Sequence, residues 1–215
     1  MITTFEQQLR IVEFCAEEVR RQQDGPLEVF GMLDAWHHAM RRYAYGQALP
    51  DLADVRELGR RILQTKVAGN EFRYAEPRAQ DIMDSWYFKD GWRDVAVFIG
   101  PRQGTRPTLI QAEMAEWEAA LHDSDPSAMR ELAVRCAIRQ DEEVGRRFSG
   151  QAERTLRAVV RNEDDAAAMA YFAFEHVHPF PDGNGRSGKV IYNWARGTLD
   201  RPEFPPAFWG GITNP

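Results

Sequence analysis

Between residues 178 and 189 the chain reads His-Pro-Phe-Pro-Asp-Gly-Asn-Gly-Arg-Ser-Gly-Lys, and this stretch constrains the fold more than any other. Pro179 and Pro181 push His178 and Phe180 out of the helical region, so the helical run of Ala, Met, Tyr and Phe over residues 163–177 must end there. Phe180 is the one large apolar side chain of the loop that follows, and it is expected to plug into the core as a structural anchor. Gly183, Asn184 and Gly185 let the backbone fold into a concavity of N–H groups. Val190, Ile191 and Trp194 then mark a helix that begins at once. The expected result is an anion nest at a helix N-terminus.

The side chains around this nest are those that nucleotide chemistry requires: Asp182 as an acid able to hold Mg2+, Arg186 as a guanidinium for phosphate, and His178 as an imidazole titrating near neutrality. Lys189 follows Arg186 by three residues, so both cations fall on one face of the first helical turns and can grip one polyphosphate. A glycine-rich helix start capped by Asp182 or Asn184 would account for the glycines, but for neither the His nor the Arg. His176 points about 200° away from His178 on a helix and is expected to be structural, as is Glu175.

The rest of the sequence is dominated by helical periods. Phe5, Leu9, Val12, Ala16 and Val19 lay one apolar stripe on a first helix, read as core, ending near Asp24. Leu27, Phe30, Leu33, His37 and Met40 repeat the pattern over residues 26–44, and adjacent His37 and His38 are read as packing or surface groups rather than metal ligands. Asp51 caps a third helix to about Thr65, and Pro77 precedes a fourth that fades at residues 89–91. From Trp92 the texture changes: residues 95–99 and 105–110 are expected to form a single hairpin around the turn 100–104. Helical periods return at 111–122, at 125–126 and on to Val160. The expected architecture is mainly α, one domain over residues 1–215. Its parts are a helical N-terminal part (1–70), a flap (92–112), a helical insertion (125–162), two helices flanking the loop (163–198) and an irregular tail (199–215).

Composition removes several classes of function. With 43% hydrophobic and 28% charged residues, the chain is of ordinary globular make-up. A net charge of -6 argues against a surface built for nucleic acid. Cys15 and Cys136 are the only cysteines, with no zinc-ligand spacing and no disulfide framework, and no stretch is long and apolar enough for a membrane span. A cytoplasmic protein without membrane partners is expected.

The segment 178–189 resembles the signature of Fic-domain proteins, H-x-F-x-[D/E]-G-N-G-R-x-x-R. The helix before it and the hairpin with its following helix, residues 92–120, also look like their counterparts in that family. The resemblance implies a Fic-type helical bundle with a β-hairpin flap, Mg2+ and ATP, and transfer of AMP to a hydroxyl of a target protein with release of pyrophosphate. It implies a bacterial toxin or regulator. By the same resemblance His178 is the catalytic base and Asp182 holds Mg2+. Gly183, Asn184 and Gly185 cradle the α phosphate, and Arg186 neutralises the β phosphate. The target protein is expected to dock by main-chain pairing on the flap, at Val95, Val97, Ile99, Thr108 and Ile110. The alternatives are a Doc-like phosphotransferase, disfavoured by Gly183 and Asn184-Gly185-Arg186, and a catalytically silent binding module.

One departure is Lys189, which stands where the signature ends in Arg and loses the planar fork for a γ phosphate. Another concerns restraint. Many proteins of the family carry an inhibitory helix of pattern [S/T]-x-x-x-E-[G/N], whose Glu pairs with the last signature Arg. Neither end of this chain contains that pattern, and the pairs Ser127/Glu131 and Ser149/Glu153 lack its small sixth residue. The expectation is therefore no intramolecular Glu clasp, with inhibition supplied by a separate small protein or by control of expression.

Overall fold

The structure is a computed structural model and describes residues 4–74, 88–89, 91–99, 102–144, 157, 161–162 and 164–207. The expected helix after Pro77, the turn at 100–101, most of 145–160 and the tail beyond 207 lie outside the described residues. The elements are α1 (Phe5–Arg21), α2 (Leu27–Ala44), α3 (Leu52–Tyr74), β1 (Phe88–Lys89), β2 (Trp92–Arg93), β3 (Phe98–Ile99), β4 (Arg102–Gln103), α4 (Pro107–His122), α5 (Pro126–Val144), α6 (Ala166–Val177) and α7 (Asn184–Arg196). The protein is mainly helical, as the apolar periods require. No helix among the described residues is long and apolar enough to cross a membrane.

The chain forms two compact units. The first contains Met1–Asp94 and Phe180–Phe204, the second Val95–Pro179 and Pro205–Pro215, so the boundary cuts the loop between Pro179 and Phe180.

In the first unit α2 is the central element and packs against α1, α3 and α7. Its buried face is Gly31, Met32, Ala35, Trp36, Ala39 and Met40, whereas Leu27 and Phe30, read from sequence as core, are exposed. The small residues decide this: a Cβ on Gly31 would meet Thr65 Oγ1 at 2.3 Å and the Arg61 carbonyl oxygen at 3.0 Å, so the glycine lets α3 approach closely. Two buried tryptophans satisfy their indoles on main chain, Trp36 Nε1 donating to Leu199 O (2.9 Å) and Trp194 Nε1 to Gln47 O (2.8 Å).

α1 starts with a capping box in which Thr4 Oγ1 accepts from Gln7 N and Gln7 Oε1 accepts from Thr4 N. Its buried face corrects the stripe read from sequence. Ile11, Phe14, Cys15, Glu18 and Val19 are buried, while Phe5, Leu9, Val12 and Ala16 face outward, Phe5 at 79% exposure. Glu18 broke the apolar pattern of the true inner face and so hid it.

The second unit holds α4, α5 and α6, with α5 and α6 in the broadest contact. From Ala167 to Val177 every residue of α6 is buried, as expected of a helix apolar on all sides. Trp117 on α4 donates from Nε1 to Ala170 O at 2.9 Å. Among the described residues the single hairpin expected here is instead two antiparallel two-residue ladders, one in each unit. In the first unit β1 pairs with β2 (Phe88↔Arg93), and in the second β3 pairs with β4 (Phe98↔Gln103). The expected return strand 105–110 is helical from Pro107, which fits Pro at a first helical position. Phe88–Lys89 is strand where the fourth helix was expected to fade.

Candidate functional site

Helix α7 begins at Asn184 behind Gly183, whose φ of +72° only glycine adopts without strain and which supplies no side-chain cap. The first-turn N–H groups of a helix have no partner within it, so this end presents unspent donors and the positive pole of the helix. The loop before it is held by a side-chain clamp: Asn184 Oδ1 accepts from Phe180 N (2.9 Å) and Asn184 Nδ2 donates to Phe180 O (2.8 Å). Phe180 is 1% exposed, its ring centroid 5.7 Å from that of Trp92.

Two residues of α3 form the bed for this loop. A Cβ on Gly59 would come within 2.5–2.8 Å of three Phe180 ring atoms, and a Cβ on Gly183 would lie 2.6 Å from Ile62 Cγ2. Gly59 and Ile62 therefore fix how deep the ring sits and where the nest lies. On the other side is the end of α1: a Cβ on Gly185 would stand 3.1 Å from Gln22 Nε2 and 3.8 Å from Glu18 Oε1.

Arg186 and Lys189 both lie against acids from this end of α1. Lys189 Nζ is 2.8 Å from Glu18 Oε1 and donates to Gly185 O at 3.3 Å. Glu18, 1% exposed, also accepts from Gln22 Nε2 at 2.9 Å, while its Oε2 has no hydrogen bond. Arg186 is equally buried. Asp24 Oδ2 stands 3.1 Å and Asp182 Oδ1 3.5 Å from Arg186 Nη2, yet neither Nη1 nor Nη2 makes a hydrogen bond. Glu18 reaches Lys189 from a helix with no [S/T]-x-x-x-E-[G/N] pattern, so an intramolecular Glu does meet this cation, a contact not expected from the sequence.

Asp182 keeps a partly exposed carboxylate that accepts from Gly183 N. Among the described residues no three His, Cys, Asp or Glu side chains are grouped to hold a metal. Mg2+ commonly takes one or two carboxylates together with substrate phosphates and water, and the partly exposed carboxylate of Asp182 is a donor of that type.

His178 belongs to the second unit. It ends α6 in a left-handed conformation (φ +52°), its N–H donating to Phe174 O at 2.9 Å, and its Nδ1 lies 4.0 Å from Glu175 Oε2. His176 is buried within α6.

Val95 and Val97 are half-buried and outside the ladders, and Ile99 is in β3. Thr108 and Ile110 lie on α4, Ile110 fully buried, so neither can offer strand-type main-chain pairing. His38 is tied to Asp54 at 3.1 Å and sits edge-on to Trp194.

Sequence reasoning missed Glu18, Gln22, Asp24, Gly59 and Ile62. A usable signal existed for Glu18 alone: an acid three or four residues after Phe14 and Cys15, in line with Ile11, is a charge inside an apolar face and calls for a buried cation.

What the two units define is a mainly helical protein with an uncapped helix N-terminus and a buried arginine at one loop. Residues 146–195 match the Fic/DOC family, a span under a quarter of the chain that includes α6, the loop and all of α7 but its last residue. That match is to a family whose members are in general nucleotidyl- or phosphotransferases.

Proposed function

We propose that this chain is a Fic-type nucleotidyltransferase that moves AMP from ATP to a hydroxyl side chain of a target protein. The observation that carries this reading is Arg186, a buried guanidinium whose two terminal nitrogens lack hydrogen bonds beside a helix N-terminus with no side-chain cap. Asp24 and Asp182 answer the charge of Arg186 at 3.1 and 3.5 Å without hydrogen-bonding its terminal nitrogens; leaving such donors buried is costly, and an anion of phosphate geometry would complete them.

In this reading His178 takes the proton of the target hydroxyl as its oxygen attacks the α phosphorus. The new O–P bond forms as the bond to the bridging oxygen breaks, and pyrophosphate leaves with that electron pair. The first-turn N–H groups of α7 receive the charge that develops on the α phosphate, and Arg186 neutralises the β phosphate. Asp182 is the residue that would hold Mg2+, which when bound neutralises phosphate charge. Glu18 and Asp24 occupy the surroundings of the two cations, so the resting chain is restrained from within.

The test is incubation with a bacterial lysate and ATP labelled at the α or, separately, the γ phosphate, for the wild type and Glu18→Gln. Label from the α position on a protein band is the expected result. Label from the γ position alone would instead favour a Doc-like phosphotransferase, and no label with either protein would favour a silent binding module.

A further inference from the structure

The segment after α7 is irregular, yet it is fixed at both ends. Asn193, fully buried on α7, donates from Nδ2 to Glu203 O (2.9 Å) and accepts at Oδ1 from Thr198 Oγ1 (2.8 Å) and Glu203 N (2.8 Å). Trp36 holds Leu199 O from α2. So anchored, residues 198–204 meet α1 at three points. Gln7 Nε2 donates to Asp200 Oδ2 at 3.1 Å. The Phe204 ring packs against that of Phe14 with centroids 4.5 Å apart. The Arg21 guanidinium lies 3.9 Å from the Phe204 ring centroid.

Phe14 and Arg21 bracket Glu18 on α1, one turn to either side, and Asp24 follows in the turn after the helix. The outward face of α1 is bare at Phe5, Leu9 and Val12. The acid-bearing end of α1 is thus held by α2, where Phe14 meets Trp36 with ring centroids 5.2 Å apart, and by these contacts to residues 198–204.

We propose that residues 198–204 are a latch that seats Glu18 against Lys189 and Asp24 against Arg186, with Phe204 as its positioning residue. Loosening the latch lifts the C-terminal half of α1 and opens both cations to phosphate. The functional consequence rests on the reading above that Arg186 and Lys189 grip phosphates; the latch itself does not.

Cys15 provides a readout that needs no ligand. It lies on the inner face of α1 next to Phe14, is fully buried and forms no disulfide, and burial pushes its thiol well above the ordinary range. A maleimide reaches it only when α1 opens. Cys136, buried on α5 in the second unit, is the internal reference.

In Phe204→Ala, Cys15 should label about tenfold faster than in the wild type, the upper range expected for losing one aromatic pair, with Cys136 unchanged. Arg21→Gln leaves the ring in place and should act in the same direction but less, and Phe204→Leu should return most of the protection. The affinity for ATP, measured by calorimetry, should rise in step with Cys15 labelling. Unchanged Cys15 labelling in both Phe204→Ala and Arg21→Gln would overturn the latch, as would Cys136 accelerating in parallel, which marks general loosening. Faster Cys15 labelling with unaltered ATP affinity would leave the latch standing and overturn the phosphate role of the cations.

Discussion

Glu18 Oε1 lies 2.8 Å from Lys189 Nζ, and both side chains are almost wholly removed from solvent. Removing one member of such a pair leaves a buried charge uncompensated, which typically costs about 3–5 kcal/mol. Glu18→Gln should therefore lower the melting temperature without ligand. ATP should restore stability, because an anion replaces the missing carboxylate, and its affinity should exceed that of the wild type by about tenfold or more. Calorimetry with and without ATP checks this, and a variant that binds ATP no better than the wild type would count against the clasp as a restraint.

The Phe180 ring rests on Gly59 and beside Trp92. Phe180→Ala should cost about 3–5 kcal/mol, as for other fully buried aromatic truncations. Gly59→Ala probes the same contact from beneath, since its methyl would overlap the ring and push it outward, at a cost of about 1–3 kcal/mol. Denaturant melts measure both. In the double variant Gly59→Ala/Phe180→Leu the penalties should fall short of their sum, because the smaller side chain makes room for the methyl; strict additivity would show that the two residues do not share this contact.

The loop at 178–189 was legible because prolines and glycines act locally: Pro179 and Pro181 dictate where α6 stops, and Gly183 supplies a φ that other residues resist. The helices were legible for the same reason that a 3.6-residue period survives in sequence. Which side of each helix faces inward was not. On α1 the outward set Phe5, Leu9 and Val12 is as regular as the inward one, and only the partner of Glu18, 171 positions further along the chain, decides between them. The ladders are not legible because alternation over residues 95–99 resembles a strand whether or not main-chain partners exist, whereas Pro107 marks a helix start inside the expected return strand. Gly59 and Gly31 carry no sequence signal of their own, since their meaning lies in the groups a Cβ would strike.

Asp54 ties α2 to the start of α3, accepting from Arg42 Nε at 2.7 Å and paired with His38 Nε2 at 3.1 Å. Burial pushes its carboxyl upward, but the hydrogen bonds from His38, Arg42 and the Asp51 main chain outweigh burial and hold it below the ordinary carboxylate value. A depressed folded value means stability that is present above the ordinary value, about pH 4, and lost as pH falls through the folded one. The wild type should therefore lose melting temperature below about pH 4 more steeply than Asp54→Asn, which has no such group to protonate. Equal slopes for the two proteins between pH 6 and pH 2.5 would rule out this contribution.

His178 combines the proposed base with an unusual backbone, φ +52° at the end of α6. A left-handed residue with a Cβ is strained, and of the non-glycine residues Asn and Asp tolerate the conformation best. Asn also has no titratable group near neutrality, so His178→Asn separates the chemistry from the cap more cleanly than His178→Ala. If His178 takes the hydroxyl proton, His178→Asn should cut α-label transfer by about 10²–10⁴-fold. Its melting temperature and ATP affinity should stay near those of the wild type, because the loss falls on the transition state alone. Both should be measured in the Glu18→Gln background, where restraint by the clasp is removed and a fall in rate is resolved over the widest range. Transfer at the parental rate in the His178→Asn/Glu18→Gln protein would remove His178 from the chemistry, whereas loss of ATP binding together with transfer would assign it to binding instead.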